Sequence, residues 1–158
     1  MGSSRFRDYA RNDYGVELTE AEARSFRERF FAAYPNLRRW PSEVGRSTAR
    51  ETRTLSGRRR FLPATDFTAR VNTPVQGTCA DGLKQALSLL WERRAEHPEA
   101  VPVLAVHDQI VIETTPEAAE GVREWLVKAM KDGMQEFTDP VPVKVDTKIV
   151  TSETKEEE

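Results

Sequence analysis

Two short apolar runs of β type, Val103-Leu104-Ala105-Val106 and Ile110-Val111-Ile112, are separated by only His107-Asp108-Gln109. A connection this short cannot carry a crossover between parallel strands, so the pair is expected to close as an antiparallel hairpin with both strands buried. Its turn holds a histidine and a carboxylate where tight hairpins prefer glycine and asparagine. A charge held between two apolar strands needs a partner, and an incoming cation would supply one. From the residues alone, Asp108 could bind a divalent metal, act as a general base, or cap local amides as a turn residue.

The rest of the chain reads mainly as helices. A short one over 5–14 ends near Gly15, and Thr19 opens another, with Glu22 completing a capping box. Phe26, Phe30, Phe31 and Tyr34 recur at helical spacing and are expected to be buried, with Pro35 ending the helix. A third helix is expected over 37–50, bent or started near Pro41. Thr54 to Pro63 carries a Ser-Gly turn between two extended arms, which predicts a second hairpin. Thr73-Pro74-Val75 is expected to open a long helix reaching about Glu96, with Pro74 in its first turn and Leu83, Leu87, Leu90 and Trp91 inward. An amphipathic helix follows over 116–137, with Val122, Trp125, Leu126, Ala129 and Met130 inward, then an alternating strand over 141–146 and an acidic tail over 151–158. This order predicts an α+β fold, a small antiparallel sheet packed against helices.

Composition matters chiefly through its asymmetry. Residues 1–70 hold 15 arginines against 9 acids, a net of +6, whereas residues 71–158 hold 9 basic residues against 17 acids, a net of −8. Nine of the arginines lie between 38 and 70, a block that suits a polyanionic partner because arginine grips phosphate in a bidentate fork. A solvated face with local acid partners is the bland alternative. No apolar run approaches the roughly 20 residues that cross a bilayer, and Met1 to Arg5 has no apolar signal region. A single cysteine, Cys79, excludes an internal disulfide and is expected to pack as a small apolar side chain. His97, before Pro98, is expected to be an exposed helix-end residue, and a cytoplasmic location is expected for the chain.

Four segments carry a resemblance. Val106-His107-Asp108-Gln109-Ile110-Val111-Ile112-Glu113 resembles the third motif of family A DNA polymerases, usually V-H-D-E followed by apolar residues and Glu. Asn72-Thr73-Pro74-Val75-Gln76-Gly77-Thr78-Cys79-Ala80-Asp81 is similar to that family's N-x-P-x-Q-G-T-x-A-D signature. Thr54-Leu55-Ser56-Gly57-Arg58-Arg59-Arg60-Phe61-Leu62-Pro63 resembles its T-L-x-G-R-R-x-x-x-P hairpin, and Phe30 to Pro35 its F-x-x-x-Y-P. They occur in the family's order and cover nearly the whole chain.

The resemblance implies template-directed transfer of nucleotides from deoxynucleoside triphosphates to a primer 3′-hydroxyl on primer-template DNA, assisted by two Mg²⁺ ions. It implies an N-terminal helical segment over 1–51 like the end of the fingers, followed by a palm portion over 52–150. Asp108 matches the metal-binding aspartate, an oxygen donor suited to hard Mg²⁺. His107 matches a residue near the primer terminus. Asn72 and Gln76 match side chains that contact DNA near the nascent pair, where minor-groove acceptors shared by all pairs allow a test of shape without sequence. Arg58 and Arg59 match the part of the hairpin that approaches the duplex backbone. Glu113 matches an acid lying near the metals, although an ordinary strand-end acid is the equal alternative.

The chain also departs from the pattern. Gln109 replaces the usual glutamate and lacks the charge of a second direct ligand. Thr68 stands where the family often has arginine, with Arg70 two residues away. No D-Y-S-Q-I-E-L-R-like segment supplies a second aspartate, and no R-x-x-x-K-x-x-x-[FY]-G-like helix supplies a triphosphate grip; Met1-Gly2 resembles the residues after that helix. One carboxylate does not hold two Mg²⁺ ions, so the chain by itself is expected to be inactive. It would be either an excised piece or one half of a split polymerase, replicative or repair, with an upstream segment carrying the second aspartate as its partner. A DNA-binding module that kept the fold and lost the chemistry is the alternative; a two-metal nuclease lacks a second acidic cluster.

Overall fold

The structure, a computed structural model, describes residues 2–151. The expected acidic tail therefore lies outside the described residues, apart from Thr151. The chain divides into two compact units, one reaching Thr48 and the other beginning at Ala49.

The first unit consists of α1 (Ser3–Tyr14), α2 (Glu20–Ala33) and α3 (Pro35–Arg46). Gly15, at φ 65°, ends α1 in the left-handed conformation that a glycine adopts without a Cβ penalty. Thr19 caps α2 as its sequence predicts: its hydroxyl accepts the Glu22 N–H at 3.2 Å, and the Glu22 carboxylate accepts the Thr19 N–H at 2.8 Å. The Thr19 N–H and, at 2.8 Å, the Thr19 hydroxyl both donate to the Glu22 carboxylate and hold it below its ordinary pKa. The predicted burial of the aromatic stripe is not met, because Phe26, Phe30 and Tyr34 are each about half exposed and Ala23 is the buried residue of α2. The reason is geometric. Arg7 of α1 reaches Glu20 in the first turn of α2, so α1 lies across the start of that helix. Phe26 and Phe30 sit one and two turns further on, past the part that α1 covers.

The second unit begins with the hairpin of β1 (Glu51–Arg53) and β2 (Arg59–Phe61), paired antiparallel with Arg53 opposite Arg59. Its turn passes through Gly57 at φ 87°. The long helix α4 (Phe67–Glu92) starts six residues earlier than expected, so Pro74 lies inside it rather than in its first turn. Proline removes one helical donor, and the carbonyl four residues back, that of Arg70, accepts the Thr52 hydroxyl instead. The helix tolerates the proline because β1 takes over that carbonyl.

A second hairpin, β3 (Val101–Val106) and β4 (Gln109–Glu113), has the predicted antiparallel pairing, with Val106 opposite Gln109 and a bulge near Val103. It leads to α5 (Ala119–Thr138), and α4 and α5 form the core with Ala86, Leu90, Ile110, Val122, Trp125 and Ala129. The two helices touch closely where Gly82 and Gly133 cross: a Cβ on Gly133 would stand 2.6 Å from the Ala86 nitrogen. The α+β class is as predicted, with five helices and two small two-stranded sheets among the described residues.

Four expectations about this unit fail. Trp91 points outward, with Arg94 stacked 4.2 Å from its ring centroid, because Ala86 and Leu90 make the face toward α5 and Trp91 lies about 100° round the helix from Leu90. Cys79 is exposed on α4. His97 is mostly covered, donating from Nδ1 to the Glu99 carboxylate at 3.0 Å with its ring against Trp125. Residues 141–146 form no strand; Pro140 and Pro142 remove two of the donors a ladder would use.

Candidate functional site

Asp108 and His107 form the two-residue tip of the second hairpin. His107 sits at φ 53°, a left-handed conformation that non-glycine residues enter only at some cost, though histidine does so more readily than most. Both residues are exposed. The expectation of two buried strands fails on one side: β4 packs Ile110 into the α4–α5 core, whereas every residue of β3 is exposed, Leu104 by 54%. The sheet ends at two strands, so one face and both edges are uncovered. The apolar side chains Val101, Leu104 and Val111 therefore lack the covering their sequence pattern calls for.

Glu113 lies at the other end of β4 from the turn, roughly 14 Å from Gln109 along an extended strand. It is the strand-end acid of the two readings, not a neighbour of Asp108. Among the described residues, no three histidine, cysteine, aspartate or glutamate side chains gather to hold a metal. Asp108 supplies one hard oxygen ligand and Gln109 a neutral amide. The described donors therefore do not make up a divalent-metal site without further ligands.

The second group of candidates lies on the first half of α4. Asn72 and Gln76, four residues apart, share one exposed helix face. The arginine hairpin packs beside them, and its side chains split by strand alternation. Arg58 and Arg60 turn toward α4: an Arg58 Nη donates to the Gly77 carbonyl at 3.2 Å, and Arg60 to the Thr73 hydroxyl at 3.2 Å. Arg59 faces the other way, near Glu51 at 3.8 Å and over the exposed ring of Phe61. Arg70 is 4% exposed and donates to the Ala64 carbonyl, so it braces the loop before α4 and does not take the surface position that Thr68 leaves without an arginine.

The two groups are strung along one helix. Arg58 meets α4 at Gly77, while Ile110, two residues beyond Asp108, packs with Ala86, about 14 Å further along the axis.

Residues 11–154 match the family model for DNA polymerase family A. The chain belongs to DNA polymerase family A. It is similar to DNA polymerase I of Aquifex aeolicus (strain VF5), 38% identical over 148 residues, covering 90% of this chain and 25% of that protein. Thermostable DNA polymerase I of Thermus aquaticus is 37% identical over 138 residues, 78% of this chain and 16% of the relative. The fold is that of part of the POL domain of Pol1 from M. smegmatis, solved in complex with DNA primer-template and dNTP. The TM-score is 0.65 at 23% identity, over 73% of this chain and 23% of that one. This family A chain thus spans a quarter or less of the length of these relatives.

Sequence reading of the family A chain missed one set of polar residues beside the site. Ser56, Thr78 and Asp81 join the arginine hairpin to α4, with Asp81 accepting the Ser56 hydroxyl at 2.6 Å and pairing with Arg58 at 2.9 Å. Burial works to raise the Asp81 pKa, but hydrogen bonds from Ser56 and Thr54 and the charges of Arg58 and Lys84 outweigh it and hold the carboxyl below its usual range. The signal was present as the final residues of Q-G-T-x-A-D, without a chemistry attached. No helix among the described residues is long and apolar enough to cross a membrane.

Proposed function

We propose that this chain is the part of a DNA-directed DNA polymerase that carries the Asp108 turn and the minor-groove face of α4, and that it acts on primer-template DNA together with a further polypeptide segment. The reaction is transfer of a deoxynucleotide to a primer 3′-hydroxyl. Asp108 is the metal-ligating carboxylate of this chain, Mg²⁺ being the metal and two ions the complement of the complete enzyme. The segment that completes the site brings the second aspartate.

The observation that carries this reading is the hairpin itself. A carboxylate is held at the tip of a strained turn, on a sheet whose β3 side is open and apolar. An open sheet edge is a template for another strand, and Val101, Leu104 and Val111 give such a strand an apolar face to cover. The lack of a three-residue ligand cluster among the described residues supports the need for a second source of carboxylate.

The remaining assignments follow the same division. His107 lies beside Asp108 and contacts the primer terminus. Asn72 and Gln76, exposed on one face of α4, contact the nascent pair. Arg58 and Arg59 approach the duplex backbone, with Arg59 the freer of the two because its pairing to Glu51 is long.

Primer extension with Mg²⁺ tests the reading, with the chain alone beside a mixture containing the upstream polymerase segment. Extension in the mixture and not by the chain alone is the expected result. Extension by the chain alone would mean that a second metal-binding carboxylate lies within it. The neutral Gln109 favours one other reading, a duplex-binding module without catalysis. It would be indicated by salt-sensitive binding with no extension in either reaction.

A further inference from the structure

We propose that Asp81 is a positioning residue, a latch that fixes the arginine hairpin on the first half of α4 and holds Arg58 where it can meet a nucleic-acid backbone. The last part rests on the DNA-binding reading above; the latch does not.

A hairpin with strands of three residues is marginal in water and needs packing to persist. In this one Leu62 at the base is buried, but the turn end has little apolar surface to offer, since Leu55 and Phe61 are both exposed. Thr52 and Arg60 tie its strands to α4 at the Arg70 carbonyl and the Thr73 hydroxyl, and the turn itself closes on Asp81. The Arg58 N–H donates to the Thr54 hydroxyl at 3.2 Å, which is 2.8 Å from the Ser56 hydroxyl, which in turn donates to Asp81 Oδ2 at 2.6 Å. The other carboxylate oxygen, Oδ1, pairs with Arg58 Nη2 at 2.9 Å. One carboxylate thus closes a ring through both ends of the turn.

Two neighbours of Asp81 make that ring possible. Thr78 donates to the Pro74 carbonyl and accepts the Leu55 N–H at 2.9 Å, a second tie to the turn one helical turn away. Gly77 lets the strand come close, because a Cβ there would stand 2.5 Å from Thr54 Cγ2. Asp81 itself is 9% exposed and Arg58 50%. The carboxylate is therefore committed to the hairpin, while half of the Arg58 side chain still faces solvent and can meet a phosphate.

Two roles for Asp81 make opposite predictions. If it merely neutralised Arg58, removing its charge would free a cation, tighten duplex binding and steepen the salt dependence. A latch predicts the reverse, because a loosened hairpin no longer presents Arg58 at a fixed place.

The experiment compares the 158-residue chain with its Asp81→Asn, Ser56→Ala and Arg58→Gln variants by amide hydrogen exchange and by duplex DNA binding over a salt series. The latch predicts exchange at the Leu55 amide about tenfold faster in Asp81→Asn, with amides at Ala86 and Leu90 unchanged. It predicts that the effects of Asp81→Asn and Arg58→Gln on Leu55 exchange are less than additive in the double variant, since the two share the Oδ1 pair. Ser56→Ala moves in the same direction, which guards against a defect peculiar to one substitution. Unchanged Leu55 exchange in Asp81→Asn and Ser56→Ala overturns the latch. Weaker duplex binding by Asp81→Asn supports the positioning of Arg58, and tighter binding overturns it. If the unaltered chain does not bind duplex, the DNA-binding reading fails, and the exchange result still decides whether Asp81 is a latch.

Discussion

The Thr52 hydroxyl donates to the Arg70 carbonyl at 3.3 Å, the carbonyl that Pro74 leaves without its helical N–H. A helix defect and a short strand thereby satisfy each other, and α4 can begin at Phe67, ahead of its proline. The bond is long for a hydroxyl donor, so its contribution lies at the low end of the usual range. Thr52→Val should lower stability by about 0.5 kcal/mol, read as a shift of the urea midpoint without a change in slope. In a Thr52→Val/Pro74→Ala variant the helix regains its own donor, and the Thr52 effect should shrink.

Gly133 governs how closely α4 and α5 approach. Alanine in a helix interior normally gains about 1 kcal/mol over glycine. Here the added methyl would stand 2.6 Å from the Ala86 nitrogen and 2.9 Å from the Gly82 carbonyl oxygen, both backbone atoms that cannot rotate away. Gly133→Ala should therefore destabilise by about 1–3 kcal/mol despite its better propensity, and a thermal melt should show a lower Tm. A raised Tm would mean that the helices separate without loss.

Asp132 joins the same two helices from outside. Its carboxylate accepts from Lys128 at 2.7 Å and from Arg93, the C-cap residue of α4, at 3.1 Å. The Lys128 hydrogen bond is the leading cause of its lowered pKa; partial burial opposes it, and Arg93 adds to it. A group whose folded pKa lies below its unfolded value of 3.8 stabilises fully above that value and loses the contribution as pH falls through the folded pKa. Urea midpoints should therefore fall as pH drops below about 4, and Asp132→Asn should flatten that part of the profile while losing stability at pH 7. The effect is moderated by solvent, because the carboxylate is partly exposed.

Much of this was legible in the sequence because the signals were local. Thr19 and Glu22 form their capping box, Gly15 ends α1, Gly57 turns the first hairpin, and the His107-Asp108 turn follows from the spacing of two apolar runs. What the sequence hid depended on partners distant along the chain. Helical periodicity marks Phe26 and Phe30 as one stripe but cannot say that α1 covers only its beginning. Alternation marks residues 141–146 as strand-like but not whether an edge is there to receive them. The N-terminal extension of α4 past Pro74 needed Thr52, 22 residues earlier in the chain, and the latch needed Asp81 to reach Ser56 across 25 residues. At the candidate site, the place of Asp108 in a tight turn could be read from the two apolar runs that flank it. The division of Arg58, Arg59 and Arg60 between two faces became visible only with the strand register.

The most direct test of the proposed metal-ligating role of Asp108 is primer extension by the chain mixed with the upstream segment proposed to complete its site, with Asp108→Asn compared against the unaltered chain. Asparagine keeps the size and removes the charge. The account predicts a loss of about a thousandfold or more in extension rate, with duplex binding held within about twofold. Extension by Asp108→Asn at the unaltered rate would contradict it.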